Sequence, residues 1–290
     1  MLPLVLRAIP HFPRVLIAKP PLTESFAPGS TSINSLSQEL IDEIVSYFVY
    51  DTGTLLACSR TCRSWNVAAT PLLHFSLTAY IGSTYLDSEK HQWPKPLKRS
   101  YELGLLRFVK RFRIRSLAGL KFSPKRLNGS TIRYFSALTN LQKIHIWDLQ
   151  VSSFMPNIQQ YFGHFAPSLR ALILVRPSGS SRQLLYFIGL FQNLQDLTLV
   201  IPVLTSDEES AADSALVPLF KPPLCGRLMI IKYDGETLIK DMIKLFGGLR
   251  FRDMFLHKVR LTRLLLEECA DTLEELEIRL VNFDRKDFSK

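Results

Sequence analysis

Seven times between Val109 and Ile278 the chain repeats one short arrangement, apolar-x-x-apolar-x-apolar. The instances are Val109/Phe112/Ile114, Leu141/Ile144/Ile146, Leu169/Leu172/Leu174, Leu194/Leu197/Leu199, Cys225/Leu228/Ile230, Phe251/Met254/Leu256 and Leu273/Leu276/Ile278. Their starting positions are 32, 28, 25, 31, 26 and 22 residues apart. Alternation over the last three positions of each fits a short strand with one buried face. The intervals leave room for a crossover, often helical, and so for parallel pairing. One such unit cannot bury its own apolar face, so neighbours must stack.

Plausible helices lie between the strands at Arg182–Phe191, Glu236–Phe246 and Leu261–Ala270. In the second, Leu238, Met242, Ile243 and Phe246 share a face. A period in the twenties to low thirties with this core resembles leucine-rich repeats. The asparagine that such repeats place three residues after the last apolar position is missing. Leu149, Pro177, Pro202, Tyr233, Val259 and Val281 stand there instead. The side-chain ladder of regular repeats is therefore absent, and an irregular array is expected over 109–290. Residues 202–215, with Asp207, Glu208 and Glu209, read as an acidic loop between repeats.

Upstream the texture differs. A helix is expected from near Ser35, where Ser35 and Gln38 have capping-box spacing. Leu36, Leu40, Ile41, Ile44, Val45 and Phe48 recur at helical intervals, and Asp51-Thr52-Gly53 breaks the run. Thr54–Cys62 reads as a second helix. A third runs from Arg63 to Thr70 around Trp65, with Pro71 ending or restarting it. A piece this small buries its own apolar surface poorly. It must share a core with a neighbour or dock on a partner. Residues 75–108 read as a connecting segment. Residues 1–34 carry Arg7, His11, Arg14 and Lys19 with no acid before Glu24. Pro3, Pro10, Pro13, Pro20 and Pro21 oppose an amphipathic targeting helix, so a disordered leader is the expectation.

Residues 36–72 resemble an F-box, within the segment 35–74. The opening leucine-proline, glutamate-leucine pattern of that family is represented by Leu36-Ser37-Gln38-Glu39-Leu40, with Ile44 one turn on. Its middle leucine pair is Leu55-Leu56, its cysteine-arginine-x-tryptophan element is Cys62-Arg63-Ser64-Trp65, and its trailing leucine is Leu72. Ser37 replaces the usual proline. An F-box followed by degenerate leucine-rich strands is similar to the large fungal F-box families.

The resemblance implies a mixed α+β or α/β fold, with a small all-α module followed by an irregular solenoid of short parallel strands and helical crossovers. It implies a non-catalytic substrate receptor of a Skp-cullin-F-box (SCF-type) ubiquitin ligase. Its partners would be the Skp-family adaptor, the cullin and a protein substrate. Leu36, Ser37, Leu40, Ile41, Ile44, Leu55 and Leu56 are then the adaptor-facing candidates, while Cys62 and Trp65 pack inside. The same residues could instead form a helical cap on the repeats.

In an array of this kind the strand residues between the apolar pair point away from the core. They are Arg113, His145, Ile173, Thr198, Met229, Phe255 and Glu277, followed by the row Arg115, Trp147, Val175, Val200, Ile231, His257 and Arg279. The substrate-contacting candidates are Arg115, His145, Trp147, Ile173, Val175, Val200, Met229 and Ile231, a greasy centre with Trp147 as anchor. Parallel sheets are often covered on both faces, so burial under loops is the alternative.

Between Glu102 and Asp148 the chain has ten Lys and Arg residues and no acid, against a net charge of +10 for the whole. The basic 103–147 tract could bind an acidic substrate, a phosphorylated peptide or nucleic acid. It could equally be a solvated strand face, since Phe112-Arg113-Ile114-Arg115 alternates as an edge strand does.

Other chemistry finds little support. Cys58 and Cys62 have helical spacing but lack further ligands, so no metal is expected. The four cysteines suit a reducing intracellular compartment, in cytoplasm or nucleus. Asn128-Gly129-Ser130 reads as a turn. The longest apolar run, Leu184–Phe191, is too short for a membrane span. No nucleophile elbow, phosphate loop, dinucleotide fingerprint or zinc-protease helix is present. The chain is read as neither enzyme nor cofactor binder.

Overall fold

The computed structural model describes residues 36–81, 95–116, 121–124, 129–204, 224–233, 237–246, 249–259 and 262–279. The expected leader, the acidic residues 207–209, Ser35 and Asn128 lie outside them.

The chain begins with three helices: α1 (Gln38–Ser46), α2 (Thr52–Thr61) and α3 (Arg63–Leu73). The N-cap of α1 is Ser37, two residues after the expected start, and its side chain makes no capping bond. Asp51 caps α2 by accepting from the Thr54 amide at 3.1 Å, so that helix starts at Thr52, earlier than expected. Pro71 sits inside α3 and neither ends nor restarts it. The carbonyl a proline cannot serve there belongs to Val67, an exposed residue. Ile41, Val45, Leu55, Cys58, Trp65, Ala68 and Ala69 form a small core shared by the three helices.

The rest is mixed α/β. Ten strands follow: β1 (Ser76–Ile81), β2 (Arg111–Ser116), β3 (Lys143–Trp147), β4 (Ala171–Val175), β5 (Ser178–Gly179), β6 (Asp196–Val200), β7 (Val203–Leu204), β8 (Leu224–Tyr233), β9 (Leu249–Val259) and β10 (Glu275–Arg279). Eight form one sheet, ordered β1-β2-β3-β4-β6-β8-β9-β10, and every neighbouring pair is parallel. Strand order thus follows chain order. Between strands lie α4 (Lys95–Glu102), α5 (Gly129–Ser136), α6 (Val151–Phe154), α7 (Ile158–Phe162), α8 (Ser181–Gly189), α9 (Thr237–Leu245) and α10 (Thr262–Cys269). The expected connecting segment therefore supplies the first strand, β1, and helix α4.

The core lies on one face of the sheet. Phe112, Ile114, Ile144, Ile146, Leu172, Leu174, Leu197 and Leu199 are buried there together with the helices. An aromatic chain crosses the helical layer from Phe135 through Phe162 and Phe187 to Phe191, with mostly edge-to-face rings. Each such pair contributes about 0.5–1.5 kcal/mol beyond area burial.

Two units depart from the pattern. Cys225 is exposed and Leu224 takes the buried place. β8 alternates from Leu224 to Leu228, which puts Cys225 on the outer side, and the register slip against β9 between Gly226 and Arg227 leaves Arg252 of β9 as the extra residue. Gly226 has φ +92, and a Cβ there would lie 2.1 Å from the Gln195 carbonyl oxygen, so only glycine fits. At the end of the array, Leu276 and Ile278 of β10 are exposed rather than buried. Among the described residues no element follows β10 to cover them.

The corners replace the missing asparagines. Asp148, Arg176 and Ile201 each follow the last residue of a strand, Lys232 holds the equivalent place within β8, and all four have φ between 51 and 56. The first three turn the chain out of the sheet, while β8 stays paired with β9 through Tyr233. The amides of Asp148, Arg176 and Ile201 donate to Val175, Val200 and Ile231 of the next strand, each at 2.8 Å. The chain then enters a second parallel ladder: Phe122 bridges Leu149, Gln150 bridges Ser178, and β5 pairs β7. Leu149, Pro177, Pro202 and Tyr233, at the asparagine positions, are buried. A main-chain ladder thus does what a side-chain ladder does elsewhere.

Candidate functional site

Two surfaces carry the residues singled out from the sequence. The first is on the helical module. Leu40, Ile44 and Leu56 are 49%, 37% and 42% exposed, while Ile41 and Leu55 are each at 1%. Ile41 and Leu55 are therefore core residues of the module and not adaptor-facing, which corrects the expectation for both. The reason is angular: on α1, Ile41 shares its face with Val45, and that face meets Leu55 and Trp65. Leu36 is half-buried against this core and Ser37 is exposed. Tyr47 and Tyr50, which the sequence did not single out, add exposed aromatic surface at the end of α1. Trp65 is buried, as expected, and its indole Nε1 has no hydrogen-bond partner among the described residues.

The second surface is the sheet face opposite the core. Strand register brings the predicted residues into straight rows. Arg113, His145, Ile173, Thr198, Met229, Phe255 and Glu277 are successive partners across seven strands. Trp147, Val175, Val200, Ile231, His257 and Arg279 form the next row. Arg115 pairs with Tyr80 of β1, an exposed aromatic on a strand the sequence reading missed. Its signal was the alternation Leu77/Ala79/Ile81, weakened by the small Ala79.

His145, Trp147, Ile173, Val175, Val200, Met229 and Ile231 are half-buried, and Arg113 and Arg115 are exposed. Their opposite-face neighbours are sealed. The face is thus open along the described rows, where many parallel sheets are covered on both sides.

The basic end of this face is dense. Arg111 pairs in register with Lys143, and Arg113 with His145. The Arg115 guanidinium lies 4.7 Å from the Trp147 ring centroid, and the His145 and Trp147 rings stack at 3.4 Å. Burial, with help from Arg113, Arg115 and Lys143, pushes the His145 imidazole down to about 4, so it is neutral near pH 7. Its Nε2 has no partner among the described residues. At the far end stand Glu275, Glu277 and Arg279, with Arg279 bridging Glu277 at 2.8 Å. The face grades from basic through apolar to mixed charge.

Around the strand starts runs an open polar groove of about 510 Å³, lined by Lys110, Asn140, Gln142, Arg170, Asn193 and Gln195 among others. Two of its amides are already used: Asn140 donates to the Arg107 carbonyl at 2.8 Å and Asn193 to Pro167 at 2.7 Å. They tie successive turns together.

No protein-family model matches the chain, and no curated protein matches it. Among the described residues, no group of three or more His, Cys, Asp or Glu could hold a metal, and no helix is long and apolar enough to cross a membrane.

Proposed function

We propose that the chain is a substrate-receptor subunit of an SCF-type ubiquitin ligase, with residues 36–73 acting as an F-box. The observation that carries the reading is a three-helix unit with its own core that still exposes Leu40, Ile44 and Leu56 on its surface. These are positions where the F-box resemblance expects the adaptor. The unit is joined to β1 through His74 and Phe75 alone, and the Phe75 carbonyl accepts from the Lys110 and Arg111 amides at 3.0 Å each. The strands and crossovers act as a degenerate leucine-rich array that holds a protein substrate, and the gain is effective concentration near a charged ubiquitin carrier. Catalysis belongs to other subunits.

The test is co-purification of the full chain with the Skp-family adaptor. Leu40→Asp and Leu56→Asp change exposed side chains and should abolish the complex while the fold melts normally. No complex with the unmutated chain, or full binding by both variants, overturns the reading.

A second reading, a scaffold for nucleic acid or acidic surfaces through the 103–147 tract, is favoured by Arg111 and Lys143 standing opposite one another. It requires binding that weakens steeply with salt.

A further inference from the structure

We propose that the corner made by Arg113, Arg115 and Lys143, together with the apolar band beside it, docks an extended acidic segment of a partner protein. This rests on the reading of the sheet as the substrate-holding body and is independent of adaptor binding.

The first argument is uncompensated charge. Arg111 and Lys143 are directly opposite on adjacent parallel strands, where like charges destabilise a sheet. No acid occurs between Glu102 and Asp148 to relieve them. Among the described residues, Arg113, Arg115 and Lys143 form no ion pair. An anion laid over the corner removes the repulsion and gains charge-assisted hydrogen bonds.

The second argument is the shape of the gradient. The register row from Arg113 continues through Ile173 and Thr198, not through further cations. A nucleic-acid strand needs positive charge along its whole path and offers phosphates at every step. A peptide with carboxylates at one end and apolar side chains at the other matches what is present. The spacing can be worked out. Strands lie about 4.8 Å apart, so β3 to β6, two intervals away, is about 10 Å. An extended peptide rises about 3.3 Å per residue. In register with Lys143 stand Ala171 and Asp196, and Val200 lies four residues further along β6. From Lys143 to Val200 is therefore about 16 Å on the diagonal, which an extended peptide covers in about five residues.

The experiment uses the full chain, without adaptor, and fluorescence anisotropy. The probe is a labelled peptide of four consecutive Asp and Glu residues followed, after a short polar spacer, by Leu-Ile. Binding is expected, weakened about tenfold, or 1.4 kcal/mol, by Arg113→Gln with Lys143→Gln. Val200→Asp should weaken it too, whereas Lys244→Glu on the surface of α9 should not. Bound peptide should also raise the His145 imidazole pKa from about 4, read by NMR, because it screens Arg113, Arg115 and Lys143. Thermal melts check that each variant folds. The proposal is overturned by absence of binding to the unmutated chain, by equal binding of the double Gln variant, or by tighter binding of a single-stranded oligonucleotide than of the peptide. Failure here with adaptor binding intact refutes the docking site alone.

Discussion

Gly226 and Gly104 both have positive φ, +92 and +65, but they differ in what surrounds them. An alanine at either position carries left-handed strain of about 1–2 kcal/mol. A stiffer unfolded chain offsets about 0.4–1 kcal/mol of that. At Gly104 nothing lies within 4 Å of the added methyl, so the cost stops near ~1 kcal/mol. At Gly226 the methyl would lie 2.1 Å from the Gln195 carbonyl oxygen and 2.9 Å from its carbon. That carbonyl accepts from the Arg227 amide at 2.7 Å and marks the start of the β6–β8 pairing. Moving it breaks a hydrogen bond and forces two backbone segments apart, adding about 2 kcal/mol or more. Gly226→Ala should therefore lose about 3 kcal/mol and Gly104→Ala about 1. The assay is urea unfolding followed by circular dichroism, with a melt expected to fall by very roughly 6–12 °C for Gly226→Ala. Indistinguishable midpoints for the two variants would refute the bulge geometry, because only the close approach separates them.

Further outcomes are equally specific. Ser37 has φ −62 and ψ 154 and makes no capping bond, so Ser37→Pro should stabilise by about 0.4–1 kcal/mol; a loss of stability in urea unfolding contradicts this. His145 is held neutral in the fold with its pKa lowered from 6.5 to about 4, so its contribution is full above about 6.5 and disappears as pH falls towards 4. The stability difference between the unmutated chain and His145→Gln should therefore narrow across that window, and a constant difference counts against it. Ile201, β-branched, has φ 51, and replacing it with Asn relieves part of the left-handed strain. Because Ile201 is exposed, near-neutral unfolding midpoints are expected, whereas Leu199→Asn on the sealed face should cost several kcal/mol, about 3 or more.

The strands were legible because Leu172, Leu174, Leu197 and Leu199 alternate cleanly on a sheet with one sealed face. Their register rows were legible for the same reason, since period-two patterns fix the face. Cys225 misled because β8 starts at Leu224 and alternates from there, and two adjacent apolar residues leave the phase open. β1 was lost because Ala79 is small and its helical neighbours read as a connector. Leu276 and Ile278 carry the right pattern, yet a pattern cannot report whether a covering element follows. On the helical module, Leu40 and Ile41 are adjacent and both apolar. Which one faces the core depends on where α2 and α3 sit, and that is a tertiary fact. Nor does any residue type announce the corners, because Asp148, Arg176, Ile201 and Lys232 share a backbone conformation and no chemistry.

That last point has a consequence for how such a surface can change. The turns at 148, 176 and 201 are held by amide donors and by buried residues at 149, 177 and 202; Asp148 and Arg176 also pair with each other at 2.8 Å, whereas the Ile201 side chain is exposed and is not needed to hold its turn. An acid, two bases and an aliphatic already occupy equivalent places, three of them exposed. They border the open face at the C-terminal ends of its strands. Rim positions outside the Asp148–Arg176 pair can trade residues while the interior stays constant. Partner choice could drift along that border at little cost to folding.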